Sequence, residues 1–302
     1  CDDIDVVHVC TPNKFHKDAL LSAIRAGKHI YCEKPLAASA EEAREIVGAL
    51  DGYAGVHQMT LQNRFFPATL RAKELAQEGF LGEVLEFRAE YLHSGSADPK
   101  APLKWKLSKE LGGGGVLYDL GSHIIDLVRH LVGEFESVHC ATKIAFTQRP
   151  SYDDRSKMVP VEAEDLAIML VRTCQGAVGF IEASKIACGT QDELRFEIHG
   201  TKGAMRFNGM DADWLEVYDL AEKEQGWKRI DCVQRYPKPA SGFPTPKARV
   251  GWIRSHCACL ANFLLAIAEG RQAEPGLDTG ARVQEIMDAA YESAEAGTWV
   301  KC

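Results

Sequence analysis

Residues 4 to 61 alternate short β-branched runs with helix-forming runs, and that alternation leaves few folds open. IDVVHV is followed by KDALLSAIRAGKH, IYCEKP by SAEEAREIVGAL, and AGVHQMT closes the series. Strand, helix, strand, helix, strand is the pattern of parallel strands joined by crossover helices. Gly27 stands where the first helix should stop, and Ser39 with Glu42 makes a capping box for the second. These residues read as the last strands of a doubly wound α/β sheet. The chain opens on CDDIDVVHVC, a strand already under way and without a leading methionine, so an N-terminal piece is expected to precede it.

After Pro67 the grammar changes. ATLRAKELAQEG reads as a helix and EVLEFRAEYLH as a strand; an irregular stretch, SGSADPKAPLKWKLSKE, leads to the helical segment ELGGGGVLYDLGSHIIDLVRHLVG. Strand pairs follow, one turning at Gln175 and Gly176 and one at Gly200 to Gly203. This predicts an α+β unit over residues 63–302 with an open, mostly antiparallel sheet. YPKPASGFPTPK, residues 236–247, holds four prolines and reads as an irregular surface loop or lid. Two helices, GWIRSHCACLANFLLAIAEG and TGARVQEIMDAAYESAEAG, precede a closing strand TWVKC.

With 302 residues, 46% of them hydrophobic, the chain has material for two real cores. The formal charge of −8, with no long basic run, argues against nucleic acid or an anionic membrane as partner and for a small molecule. No apolar run is long enough to cross a bilayer and no signal segment opens the chain, so a cytoplasmic location is expected. The ten cysteines are scattered, mostly in apolar runs where a thiol packs as a small hydrophobe in a reduced interior. His256, Cys257 and Cys259 lie close together but lack zinc-knuckle spacing, and no metal site is expected.

Three motifs carry chemistry. Thr11, Pro12 and Asn13 end the first strand and His16 opens the next helix, at the strand edge where open parallel sheets bind ligands. TPN is equally an ordinary turn with Asn13 as a cap. Glu33, Lys34 and Pro35 lie just past the second strand, at the same edge, where a lysine can steady a developing alkoxide or relay a proton. A surface loop is the plain reading of EKP taken alone. In the third motif Asp119 and His123 lie four residues apart on a helix expected to begin near Val116, so they are neighbours on one face, continued by Asp126 and His130. A carboxylate beside an imidazole raises its basicity, as a proton-abstracting His needs, although a solvated helix face has the same pattern. Against that stand Gly112, Gly113, Gly114 and Gly115, useful where backbone approaches a ligand or another segment closely. They follow no strand, so they are not a phosphate cradle.

TPN, EKP and GGGGVLYDLGSHIID, together with NRFFP at 63–67, EDLAIMLV, EIHGTKGAMRF and DAAYESAEAGTWV, resemble the Gfo/Idh/MocA family, which includes glucose-fructose oxidoreductase and inositol dehydrogenase. The resemblance covers essentially the whole chain. It implies a Rossmann dinucleotide domain, of which residues 1–62 are the C-terminal part, and a substrate-binding and oligomerising domain over 63–302. It implies Lys34, Asp119 and His123 as the catalytic set, with Lys34 also touching substrate and cofactor. Thr11, Pro12, Asn13, His16, Glu33 and Pro35 line the nicotinamide half of the cofactor site, Arg64 lies near by, and Trp105 flanks the sugar. A cis peptide is expected at Lys34–Pro35.

The implied reaction is reversible oxidation of a sugar, polyol or cyclitol by NAD or NADP: His123 takes the hydroxyl proton, Asp119 orients it and Lys34 stabilises the oxygen. A homodimer or homotetramer through the open sheet is implied as well. Family members begin with a strand running into G-x-G-x-x-G, which this sequence lacks, so NAD and NADP are not distinguished. Two other functions share the scaffold: an enzyme that recycles tightly bound nucleotide, by sugar transhydrogenation or oxidation-assisted glycoside cleavage, and a sugar- or nucleotide-sensing regulator. A sensor has no need of an acid/base set.

Overall fold

The computed structural model describes residues 3–235 and 249–302; the proline-rich stretch 236–247 lies outside them. The N-terminal alternation folds as β1 (Val6–Val9), α1 (His16–Arg25), β2 (His29–Cys32), α2 (Ala40–Gly48) and β3 (His57–Met59). The strands pair in parallel in the order β1-β2-β3. Gly27 ends α1 with φ of +65°, where any Cβ would be strained. At the start of α2, Ser39 Oγ accepts the Glu42 N–H at 3.2 Å, and the Glu42 carboxylate accepts the Ala38 N–H at 3.1 Å.

The period of two along β2 explains how this small sheet is covered on both faces. Ile30 and Cys32 belong to a core with Leu20 and Ile24 of α1 and Ala43 and Ile46 of α2; Tyr31 belongs to an opposite core with Cys259 and Phe263.

The rest of the chain runs α3 (Pro67–Gln77), β4 (Val84–Leu92), α4 (Lys109–Gly112), α5 (Ser122–Val132), β5 (Phe135–Lys143), β6 (Gln148–Pro150), β7 (Met158–Pro160), β8 (Leu166–Thr173), β9 (Val178–Ser184), β10 (Glu193–Gly200), β11 (Gly203–Asn208), β12 (Trp214–Asp219), β13 (Lys228–Asp231), α6 (Cys232–Arg235), α7 (Trp252–Glu269), α8 (Leu277–Ala296) and β14 (Val300–Lys301). A nine-stranded sheet has the order β13-β12-β11-β10-β4-β9-β8-β5-β14, antiparallel except for the β4–β9 pair, and β6 and β7 form a separate hairpin. Both expected turns are present: β8 and β9 meet around Gly176, at φ of +93°, and β10 passes into β11 between Gly200 and Gly203.

One face of the large sheet packs on α5 and α8 through Phe87, Ile181, Ile124, Val128 and Ile286. The other face leaves Ile168, Leu170 and Val178 exposed. α7 and α8, which the sequence puts with the second unit, also cover the three-stranded sheet, Phe263 on one side and Leu277 on the other. Among the described residues no helix is long and apolar enough to cross a membrane.

Candidate active site

The C-terminal ends of β1 and β2 put Thr11 to Asn13 and Glu33 to Pro35 at one sheet edge, as the parallel order requires. The Lys34–Pro35 peptide is cis. His16 fastens these two loops together. Its Nδ1 lies 3.0 Å from the Pro35 carbonyl oxygen and its Nε2 2.8 Å from that of Thr11, and the side chain is fully buried. The ring thus stands between the two carbonyls, donating from whichever nitrogen carries the proton, and joins the two loops that form this edge. Asn13 Nδ2 donates to the Gly112 carbonyl at 2.8 Å, which ties the edge to the glycine run.

Close packing requires Gly113, Gly114 and Gly115, whereas a Cβ on Gly112 would meet nothing nearer than 3.6 Å. Gly113 has φ of +77°, and a Cβ there would lie 2.6 Å from the Ala38 carbonyl. A Cβ on Gly115 would lie 2.3 Å from the Glu164 carbonyl oxygen. Glu164 takes advantage of that approach: its carboxylate accepts the N–H of Gly115 at 3.1 Å, the N–H of Leu117 at 2.9 Å and the Tyr291 hydroxyl at 2.8 Å. These N–H groups open the helical segment, where the helix itself offers them no acceptor; Gly115 N–H also donates to the Tyr291 hydroxyl oxygen at 3.0 Å. Burial pushes the Glu164 carboxyl up from its ordinary range, against those hydrogen bonds.

The segment does not begin as the α-helix expected near Val116. Leu117–Gly121 forms a π-turn, and α5 proper starts at Ser122. A π-turn takes more residues per revolution than an α-turn, so Asp119 loses the simple four-residue alignment with His123. Its carboxylate faces three ammonium groups instead: Lys34 Nζ at 2.9 Å and Lys106 Nζ at 2.8 Å from Oδ1, and Lys185 Nζ at 3.0 Å from Oδ2. Lys34 also donates to the Asp119 carbonyl at 2.6 Å. Burial opposes ionisation of Asp119, but Lys34, Lys185 and Lys106 outweigh it and hold the carboxyl well below the usual range. Burial lowers the pKa of Lys34; Asp119 pulls it up and Lys106 pushes it down, with a net decrease.

His123 stands on the first turn of α5 with Nδ1 buried and unpartnered, and no described residue hydrogen-bonds its ring. Tyr91 lies edge-on to it, with ring centroids 5.9 Å apart. Burial, reinforced by Lys34, drives its pKa far below the ordinary histidine value. Asp119 pulls the His123 pKa up, but burial and Lys34 outweigh it, and both oxygens of the carboxylate are engaged by lysines. Arg64 stands at the junction of the two units. It forms a two-pronged, buried ion pair with Asp126, through Nε at 2.7 Å and Nη2, and so locks the end of the N-terminal unit onto α5.

A cavity of about 210 Å³ joins these groups, lined by Thr11, Asn13, Glu33, Lys34, Pro35, Trp105, Lys106 and Asp119 together with part of the glycine run. Pro12, His16, Arg64 and His123 are not in its lining. The side chains at this edge fit a nicotinamide: the cavity is the size of a ring and mixed in polarity.

Sequence reasoning passed over Lys106, Lys185 and Glu164. Lys185 had a readable signal, since it follows Ile181 and Ala183 at a spacing of two and so falls on the inward face of β9. A lysine on an inward face needs a buried partner.

The chain matches two family models: the NAD-binding Rossmann fold of an oxidoreductase family over residues 1–59 and the C-terminal alpha/beta domain of the same family over residues 73–302. It is 35% identical to levoglucosan dehydrogenase of Pseudarthrobacter phenanthrenivorans, over 99% of this chain and 80% of that protein. It is 26% identical to inositol 2-dehydrogenase of Rhizobium meliloti, over 96% of this chain and 78% of that protein. Among solved structures, levoglucosan dehydrogenase in complex with NADH and levoglucosan superposes with a TM-score of 0.94 at 36% identity, covering all of this chain and 80% of the other. An oxidoreductase domain protein from Kribbella flavida superposes with a TM-score of 0.95 at 32% identity, covering all of this chain and 81% of the other.

Proposed function

The chain belongs to the Gfo/Idh/MocA oxidoreductase family, and from that premise we propose that it oxidises a hydroxyl-bearing carbon of a sugar, the nicotinamide of NAD supplying the atom that accepts the hydride. Thr11, Asn13, Glu33 and Pro35 would hold the nicotinamide end. NAD is preferred over NADP because the similar levoglucosan dehydrogenase carries NADH.

The observation that carries this reading is the meeting of Lys34, from the N-terminal unit, with Asp119, from the second, at one wall of the cavity that Trp105 also lines. Lys34 is proposed as the group that takes the hydroxyl proton. Burial lowers its pKa, which favours the neutral amine whose lone pair receives the proton. Lys34 is preferred over His123 for this role because it stands in the cavity wall beside Asp119. His123 instead hydrogen-bonds the sugar oxygen as a neutral ring.

Asp119 holds Lys34 by two contacts, and the Lys106 and Lys185 ammonium groups on the same carboxylate leave this wall with net positive charge even when Lys34 is the neutral amine. That charge favours an oxygen on its way to alkoxide. The substrate carbon loses hydrogen as hydride while its oxygen loses a proton to Lys34 Nζ, which passes it to water in the cleft. The product is a ketone. Trp105 offers an apolar face to the sugar ring.

Two wider features complete the reading. The exposed Ile168, Leu170 and Val178 on the open sheet support assembly of a homodimer or homotetramer through that face. The described cysteines are all unpaired, which supports a reducing, cytoplasmic location.

Incubation of the full chain with NAD and levoglucosan, myo-inositol or glucose tests the reaction. Growth of absorbance at 340 nm with at least one of them is expected. No reduction with any sugar or polyol, under conditions where nucleotide binds, removes the dehydrogenase.

A further inference from the structure

The cleft around Lys34 encloses about 210 Å³, short of the roughly 300–1,000 Å³ common for a complete small-molecule site. Beyond Trp105 a second cavity of about 930 Å³ opens, and Trp105 and Lys106 line both. The indole, 38% exposed, is a partition between the two spaces.

Both walls of the second space are fixed. On the Trp105 side, Lys106 is anchored to Asp119 at 2.8 Å, with its ammonium 5.8 Å from the indole centroid. The opposite wall is the loop between β6 and β7, which carries Ser151, Tyr152 and Asp153. The Leu103 N–H donates to the Pro150 carbonyl at 2.8 Å, stitching one wall to the other. Arg149, wholly buried, donates to the carbonyls of Ser96 at 2.6 Å and Asp98 at 2.8 Å and so pins the hairpin down.

On this rigid frame Tyr152 is 64% exposed, and among the described residues no ring stacks on it. Two accessible aromatic side chains across a cavity, with Ser151, Asp153 and Lys104 around them, match the chemistry of a pyranose. Its C–H faces pack on rings and its hydroxyls reach polar groups.

We propose that this second cavity is a sugar-binding subsite: the substrate is a disaccharide or glycoside whose non-reacting ring sits between Trp105 and Tyr152 while its neighbour reaches Lys34. The reacting half of this statement rests on the dehydrogenase reading; the binding half does not.

Titration calorimetry on the full chain, wild type and Tyr152→Ala, with glucose, cellobiose and maltose separates the two. At least one disaccharide is expected to bind tenfold or more tightly than glucose, with the gain lost in Tyr152→Ala and glucose affinity unchanged. Equal affinity for all three sugars, or a gain that survives in the variant, overturns the subsite. NAD reduction is then followed with the same sugars. Tyr152-dependent disaccharide binding without reduction of NAD by any sugar leaves the subsite standing and removes the dehydrogenase; reduction by glucose with no disaccharide gain does the reverse.

Discussion

Lys34 Nζ lies 2.9 Å from Asp119 Oδ1 and 2.6 Å from the Asp119 carbonyl oxygen, so one ammonium clamps the N-terminal unit to the π-turn of the second. If the same amine takes the substrate proton, Lys34→Met removes both clamp and base. We expect kcat to fall by about 10²-fold or more, in the range of general-base removal, with nucleotide binding retained. Absorbance at 340 nm measures the first and quenching of protein fluorescence by NADH the second. Turnover near wild type in Lys34→Met sinks the role.

Lys106 shares Oδ1 with Lys34 but is about half exposed, at 47%. Its positive charge lowers the Lys34 pKa directly, and it also draws on the carboxylate that would raise it. In Lys106→Met both effects disappear and the Lys34 pKa rises. The base form then appears only at higher pH, so the rising limb of the kcat/KM profile should move to higher pH, and Lys106→Arg should restore it. An unmoved limb in Lys106→Met means that Lys34 does not set it.

His123 is neutral through the physiological range because burial, then Lys34, opposes its protonation. Activity should therefore show no titration near pH 6.5, the ordinary histidine value. His123→Ala should reduce turnover by about 10²-fold by leaving the sugar oxygen without its partner. The informative comparison is His123→Asn, which keeps a neutral hydrogen-bonding group: partial recovery supports the neutral role, and none points to a proton-transfer role instead.

His130 gives a stability effect of definite sign. Burial, then Arg64, Lys73 and Arg129, brings its pKa down from 6.5 to about 2. Above pH 6.5 neither the folded nor the unfolded chain holds the proton, and the residue has no linkage effect. As pH falls from 6.5 toward 2 only the unfolded chain takes it up, so folded stability drops, by at most about 1.4 kcal/mol per pH unit. Urea midpoints at pH 7.5 and 5.5 should differ more in wild type than in His130→Gln. Identical differences would show that His130 protonates as easily folded as unfolded.

The β/α alternation, the caps at Gly27 and Ser39 and the hairpin turns were legible because each is a local property, written in spacing or in one residue's allowed dihedrals. Lys34 and Asp119 were legible as a pair only through the resemblance, since their contact joins two units 85 residues apart. The roles of His16 and Arg64 were not legible. Each looks like a site residue by position, and only tertiary packing shows that His16 is held by two carbonyls and Arg64 by Asp126. The π-turn was hidden for a related reason: Leu117 to Gly121 has ordinary helical composition, and the wider turn forms where Glu164, arriving from just before β8, fixes the N–H groups of Gly115 and Leu117.

Glu164 supplies the last prediction, because it separates support of the site from chemistry in it. It touches neither Lys34 nor His123, yet it accepts two buried N–H groups at the start of the segment that carries Asp119. Glu164→Ala strands the Leu117 N–H and the Tyr291 hydroxyl, while the Gly115 N–H keeps the Tyr291 oxygen as acceptor at 3.0 Å. Each unsatisfied buried group costs about 1–3 kcal/mol, partly relieved by water entering the space, so a loss of about 2–4 kcal/mol is expected. Glu164→Gln keeps one acceptor oxygen and should lose less. Burial raises the pKa of this carboxyl, so its charge is held at a cost that the neutral amide avoids. Urea unfolding ranks wild type, Gln and Ala in that order; a Gln variant as unstable as Ala would show that the full charge is needed.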